Sequence, residues 1–302
     1  MQTLDEPIND LINDFLADQD IAENSRNLYE KELRYFLTWI IKNKVNPAKI
    51  EIPNLLGYKN YLKNQKLSPY TIDNYLAPIK LFFKNLDRLR KYKNIAANIK
   101  NERKLKEFTK RALTPREIKK LLNSIERKNI YNLRDYAMIK LIALTGMRCI
   151  ETSRLNINDL QTSKNNYLIN ILGKGQNEKR ALKIPESAAN SIIEYIEQRK
   201  DPDYKNPLFV NRFNNRLTGQ AIGTIIKNKC EKAGIKDVSA HSLRHSAAVN
   251  GIKAGQNIYD IQKLLGHSSV KITELYLKSI EKENIKIKGN PVINALNNVY
   301  KI

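Results

Sequence analysis

Apolar residues recur at helical spacing through the first hundred positions, and that period confines the stretch to a bundle of helices. Leu11, Ile12, Phe15 and Leu16 form one stripe, and Leu28, Leu33, Phe36, Leu37 and Ile40 form a longer one in a helix that follows Asn24 and Ser25. Pro53 opens a third helix through Leu55, Leu56, Tyr58 and Leu62. Ser68-Pro69 caps a fourth, with Ile72, Tyr75, Leu76, Ile79, Phe82 and Phe83 on its inner face. An all-helical domain over residues 1–104 is the expectation.

From Ile99 to Thr114 the period fades and charge takes over (KNERKLKEFTKRALT), so 105–113 reads as a basic linker. Thr114-Pro115-Arg116-Glu117 then carries a helix-start signature: Thr114 and Glu117 have capping-box spacing and Pro115 sits at the first helical position. A second domain over 114–302 is expected, with helices near 115–126, 133–145, 186–199, 218–233, 241–254 and 257–265. Within it, 166–172 and 179–184 read as two strands around the polar turn GKGQNE, ending at Pro185. The fold class is therefore mainly α with a small inserted β-sheet. After a charged segment, Asn290-Pro291 starts a tail helix with Val292, Ala295, Leu296 and Val299 on one face. Such a helix could fold back on its own domain or dock on a neighbouring protomer, and the sequence favours neither.

Charge narrows the partner. The 302 residues hold 53 Lys and Arg against 31 Asp and Glu, a net +22, which points to a polyanion: nucleic acid first, an anionic membrane surface second. AT-rich coding DNA would explain abundant lysine but not the shortage of acids beside it. The first fifty residues are net acidic, so the surplus lies in the rest. No apolar run reaches the roughly 18 residues that a spanning helix needs, so no membrane partner is expected. Asp5, Glu6, Asp10 and Asp14 are the opposite of a signal peptide's basic start, and a cytoplasmic protein is expected. Cys149 and Cys230 form neither a metal spacing nor a disulfide framework and read as reduced structural thiols.

The three histidines all lie between positions 241 and 267. His241 and His245 flank Arg244 in HSLRH, His267 follows the glycine of LLGHSS, and Tyr276 stands nine residues further on in ITELYL. Upstream, Arg148 stands in LTGMRCIE and Lys174 in the hairpin turn of LGKGQNEKR. Singly, each has a plain structural reading. A lone histidine is usually packed, Arg148 can pair with Glu151 along its own helix, and Lys174 can be a solvated turn lysine. Tyr276 is one of fifteen tyrosines.

As a set, HSLRH, LLGHSS, the tyrosine nine beyond His267, the arginine of LTGMRCIETSRL and the lysine of GKGQNEKR resemble the signature of the tyrosine recombinases, or phage-type integrases. The nearest likeness is to their Xer-type and simple phage-integrase branch. It is most specific from Val238 to Leu277; in the N-terminal part it rests on helix count and length. Relatives often have histidine two residues after the tyrosine, where this chain has Lys278.

The resemblance implies a helical, SAM-like core-binding domain ahead of a catalytic domain, and strand exchange through a covalent 3′-phosphotyrosine on Tyr276, with no metal or other cofactor. It implies Arg148 and Arg244 as phosphate clamps, Lys174 as the acid that protonates the departing 5′ oxygen, His241 as an acid/base aid and His267 as a hydrogen-bond donor to the same phosphate. The chemistry suits those residue types. A phenol of pKa about 10 needs nearby positive charge or a base to attack phosphorus. Two planar, permanently charged guanidiniums can hold a phosphate where other enzymes use metal ions. His241 and Arg244 are three apart on an expected helix, so both can face one point. His245 reads as packing, because no third metal ligand accompanies it and His241; Glu151 is expected to orient Arg148.

The implied partners are double-stranded DNA with short inverted half-sites and further copies of the chain, four in a synapse, with the tail helix a candidate bridge between protomers. Residue 1 lies a few positions before the first helix, which leaves no room for an additional arm-site-binding domain. Type IB topoisomerases and telomere resolvases use related chemistry, but the tail beyond the tyrosine favours recombination. Element integration or excision, Xer-like resolution and inversion all stay open as roles. A catalytically silent DNA-binding relative and a metal-dependent nuclease are the competing classes; the filled chemical positions argue against the first and the lack of a carboxylate motif against the second. Alanine at either arginine is expected to abolish cleavage with folding intact.

Overall fold

The computed structural model describes residues 7–102, 111–163, 166–173, 176–199, 203, 205–267, 269, 270, 273, 274, 276 and 277. The chain divides into two compact units, Met1–Leu105 and Lys106–Ile302. The fold is mainly helical, with eleven α-helices and one three-stranded sheet among the described residues.

The first unit packs α1 (Ile8–Ala17), α2 (Glu23–Lys42), α3 (Ile52–Asn64) and α4 (Pro69–Arg88) around one apolar core. Ser68 begins α4 by accepting the Thr71 N–H, which leaves Pro69 at a position where its missing N–H costs nothing. Phe15 and Phe82 meet edge to face at 5.6 Å, and burying each such ring contributes about 1.5–3 kcal/mol. Two expected inner-face positions differ: Leu28 and Leu56 are exposed, because each lies just off its helix's buried arc. The second helix also starts earlier than Asn24-Ser25 implies, at Glu23.

In the second unit Thr114 and Glu117 close a reciprocal capping box at α5 (Pro115–Asn123). The segment just before it is anchored. Arg111 makes a two-pronged pair with Glu117, at 2.9 and 2.6 Å. The Leu113 N–H donates to Ser246 Oγ at 2.7 Å, and Asn250 Nδ2 donates to the Leu113 carbonyl at 3.1 Å.

Central to this unit is α6 (Ile130–Thr145), a helix buried nearly all round, which marks it as the core element. Against it pack α5, α7 (Cys149–Ser153), α8 (Glu186–Glu197), α9 (Gly219–Lys232) and α10 (Ala240–Lys253), and α11 (Ile258–Leu265) packs on α10. The sheet is antiparallel in the order β1 (Leu160–Ser163), β2 (Asn166–Leu172), β3 (Lys179–Ile184). The β2–β3 hairpin matches the sequence expectation; β1 adds a third strand that a four-residue, largely polar segment did not advertise. The tail helix expected near 290–299 lies outside the described residues, as does 103–110, most of the expected linker.

Candidate active site

Four local structures converge. The end of α6 is capped by Gly146 in the left-handed region (φ 65°), where a Cβ would lie 2.3 Å from Leu265 Cδ2. Glycine at this turn lets α11 pack against it and brings Arg148, two residues later, to the start of α7. There the buried Glu151 carboxylate accepts from the Arg148 backbone N–H at 2.8 Å and from its Nη1 at 2.7 Å. One carboxylate thus caps the helix and fixes the guanidinium, as the sequence suggested. Cys149 beside it is an inert thiol, its pKa pushed up to about 11 by burial.

The α10 helix supplies His241, Arg244 and His245. Arg244 is 2% exposed and donates to the Gly146 carbonyl at 2.7 Å and the Leu265 carbonyl at 2.9 Å. It therefore clamps the end of α6 to the end of α11, a structural duty its sequence context did not reveal. Burial, then the charge of Arg148, brings its pKa down to about 10, and it still carries its charge at neutral pH. His241 lies at the mouth of the site. The protein packed around it, then Arg244 and Arg148, lowers its proton affinity.

Beyond α11, Gly266 turns the chain in the left-handed region (φ 62°) and delivers His267 into the interior. Its Nδ1 lies 2.9 Å from Thr273 Oγ1. Burial, then Arg244, Arg148 and His241, drives its pKa down to about 4, so the ring is neutral at pH 7 and can donate one hydrogen bond.

Tyr276 is 2% exposed and packs with Ala248, Val249, Ile261 and Leu265. Its ring stacks on His267 at 6.0 Å with 7° between planes and lies 5.2 Å from the His245 ring. Burial raises the phenol pKa, while the charge and hydrogen bond of Arg244, and then the charge of Arg148, oppose the rise. A buried phenol facing two cations is what an attacking phenolate requires.

Five of the six residues singled out in the sequence, Arg148, His241, Arg244, His267 and Tyr276, thus come together. The sixth, Lys174, lies outside the described residues, between Gly173 and Gln176 of the hairpin. Sequence reasoning missed Arg180. This β3 arginine donates to the Leu264 carbonyl at 3.0 Å and the Lys263 carbonyl at 3.4 Å. Burial first, then Arg148, lowers its pKa, opposed by Glu151. A signal was present: strand alternation puts Arg180 on the inward face with Leu182 and Ile184, an unusual place for a cation. Among the described residues no group of three or more His, Cys, Asp or Glu is arranged to hold a metal ion. No described helix is long and apolar enough to cross a membrane.

Comparison with known proteins places the chain in a family. The sequence matches the phage integrase family over residues 111–283. A tyrosine recombinase XerD of Listeria innocua serovar 6a is 28% identical over 281 residues, covering 89% of this chain and 94% of the relative. A tyrosine recombinase XerC of Roseiflexus castenholzii is 30% identical over 274 residues, covering 86% and 85%. The solved XerH site-specific recombinase, bound to a palindromic difH substrate in a post-cleavage complex, shares the fold. Its TM-score is 0.74 at 24% identity, over 87% of this chain and 78% of that one. The chain belongs to the phage integrase family. Its activity is that of a site-specific tyrosine recombinase, which breaks and rejoins DNA.

Proposed function

We propose that Tyr276 is the nucleophile and that the reaction runs through a 3′-phosphotyrosine with no metal ion. The observation that carries this is a buried phenol held between two arginines and a neutral histidine. Tyr276 Oη attacks phosphorus, and the bond to the 5′ oxygen breaks. Arg148 and Arg244 hold the non-bridging oxygens and stabilise the charge that accumulates there. His267 donates a hydrogen bond to the same phosphate, and His241, with its lowered proton affinity, exchanges a proton at the mouth of the site. Lys174 protonates the departing 5′ oxygen. The bond energy stored in the phosphotyrosine then allows resealing when a 5′ hydroxyl attacks in reverse.

The substrate is double-stranded DNA carrying short inverted half-sites, one copy of the chain on each, and a synapse of two duplexes holds four. The palindromic substrate of the XerH neighbour supports inverted half-sites. Residues 1–104 act as the core-binding domain and 114–302 as the catalytic domain, a division that two compact units support. Likeness to Xer proteins over most of their length supports resolution-type or element excision and integration on such sites, in the cytoplasm.

The test is a nicked suicide substrate incubated with the protein in chelator and run on a denaturing gel. A protein–DNA adduct is expected, lost in Tyr276→Phe with DNA binding retained. An adduct formed by the phenylalanine variant would remove Tyr276 from this role. Lys174→Ala should be restored by a 5′-bridging sulfur at the scissile position, since a thiolate leaves without a proton.

A further inference from the structure

The C-terminal end of α11 is held more firmly than its own ending requires. Gly266 already closes the helix in the left-handed conformation, its N–H donating to the Lys263 carbonyl at 3.1 Å. Gln262 and His267 also bond each other: the His267 N–H donates to the Gln262 carbonyl at 3.1 Å, and Gln262 Nε2 donates to the His267 carbonyl at 3.0 Å. Yet two arginines from separate elements add to this. Arg180 of β3 takes the carbonyls of Lys263 and Leu264, and Arg244 of α10 takes that of Leu265. Three successive carbonyls are thereby fixed to the hairpin and to the catalytic helix at once.

The guanidinium of Arg180 also lies flat on the turn that follows. A Cβ at Gly266 would stand 3.3 to 3.5 Å from its Nε, Nη2 and Cζ, closer than a side chain comfortably packs. Among the described residues its hydrogen bonds go to carbonyl oxygens rather than to a carboxylate, so the contact is a fixture at a helix end and not an ion pair. The turn end of the same hairpin is tied to residues ahead of β1: Lys179 pairs with the buried Asp159, and Arg154 Nη1 reaches the Gly173 carbonyl at 3.4 Å.

We propose that Arg180 is a positioning residue for cleavage, locking the β2–β3 hairpin to the α11–His267 turn so that His267 is presented to the scissile phosphate in one orientation. The inference rests on the reading of His267 as a phosphate ligand. Arg180 touches no reacting atom; its effect passes through the turn that it grips.

The experiment is single-turnover cleavage of a saturating suicide substrate by the full chain, in a cycle of Arg180→Met, His267→Ala and the double variant, with thermal unfolding of each. Arg180→Met is expected to slow cleavage about 100-fold, the scale of a misplacement of about 1 Å in a reacting group. If Arg180 acts through His267, the double variant stays within about threefold of the slower single variant, because the second change removes what the first had already lost. Arg180→Lys, which keeps the charge but cannot span two carbonyls, is expected to fall between. It carries the same cycle if the methionine variant does not fold.

Losses that multiply in the double variant would overturn the proposal, since a merely structural role slows cleavage independently of His267. Parental rates in Arg180→Met would overturn it too. Parental rates in His267→Ala would instead sink the phosphate-ligand reading, and a slow Arg180→Met in that case would place the arginine's action elsewhere and end this proposal with it.

Discussion

Tyr58 in the first unit and Tyr276 in the second are buried to the same degree, 0% and 2% exposed, yet their surroundings have opposite sign. Burial raises the pKa of both phenols. Around Tyr58 every further influence pushes the same way: the Glu32 carboxyl, then Tyr35, Tyr75 and Tyr61. Its hydroxyl has no hydrogen-bond partner among the described residues. Around Tyr276 the next influences push back: the charge of Arg244, its hydrogen bond, and the charge of Arg148. Desolvation alone makes a tyrosine inert. The neighbouring charge decides whether a buried phenol can become a nucleophile.

The sharpest break of the comparison is substitution at the proposed nucleophile: Tyr276→Phe should give no covalent adduct on a denaturing gel. Next come the arginines. Alanine at Arg244 or Arg148 should slow cleavage by about 100-fold or more, the scale for losing a donor to developing charge. They should differ in folding. Arg244→Ala strands the Gly146 and Leu265 carbonyls and is expected to cost about 1–3 kcal/mol in denaturant melts. After Arg148→Ala the buried Glu151 keeps the backbone N–H, and the smaller loss is expected.

The two units should also titrate in opposite directions. Burial raises the pKa of Glu32 above its ordinary 4.5, so the folded state holds that proton more tightly than the unfolded one. The stability it contributes is present below 4.5 and is lost as pH rises through the folded value. His267 falls from 6.5 to about 4, so its contribution is present above 6.5 and is lost as pH falls towards 4. Thermal melts across this range should show a flattened decline with rising pH above 4.5 in Glu32→Gln and a flattened decline with falling pH in His267→Ala; the reverse pairing would contradict both assignments. The smallest effect belongs to Tyr58→Phe. It removes an oxygen with no partner, so adduct formation should stay at the parental rate and the melting midpoint should hold or rise.

Much of this was legible in the sequence because the signals were local. Helical period marked the core faces, and Thr114 and Glu117 announced their capping box. The family resemblance carried by HSLRH, LLGHSS and the tyrosine beyond singled out the convergent residues. What stayed hidden depends on distant partners. Arg244 reads as a phosphate ligand in its motif, and only the meeting of α6 with α11 makes it a clamp as well. Arg180 could have been suspected from alternation, but its grip on α11 spans more than eighty positions of chain. β1 was invisible because LQTS is short and has one apolar residue, and its pairing with β2 comes from the neighbouring strand. Leu28 and Leu56 mark the opposite error, where apolar identity at nearly the right spacing does not secure burial.

The anchor at Leu113 has a mechanical consequence. The chain enters the second unit bonded to Ser246 and Asn250, two and six residues along α10 from Arg244, while Ala112 rests on the apolar cluster around Tyr276. No slack loop separates that point of attachment from the reacting groups. Tension arriving along the backbone at Ala112 is therefore delivered as torque on the helix that carries Arg244 and as a shift in the bed on which Tyr276 lies.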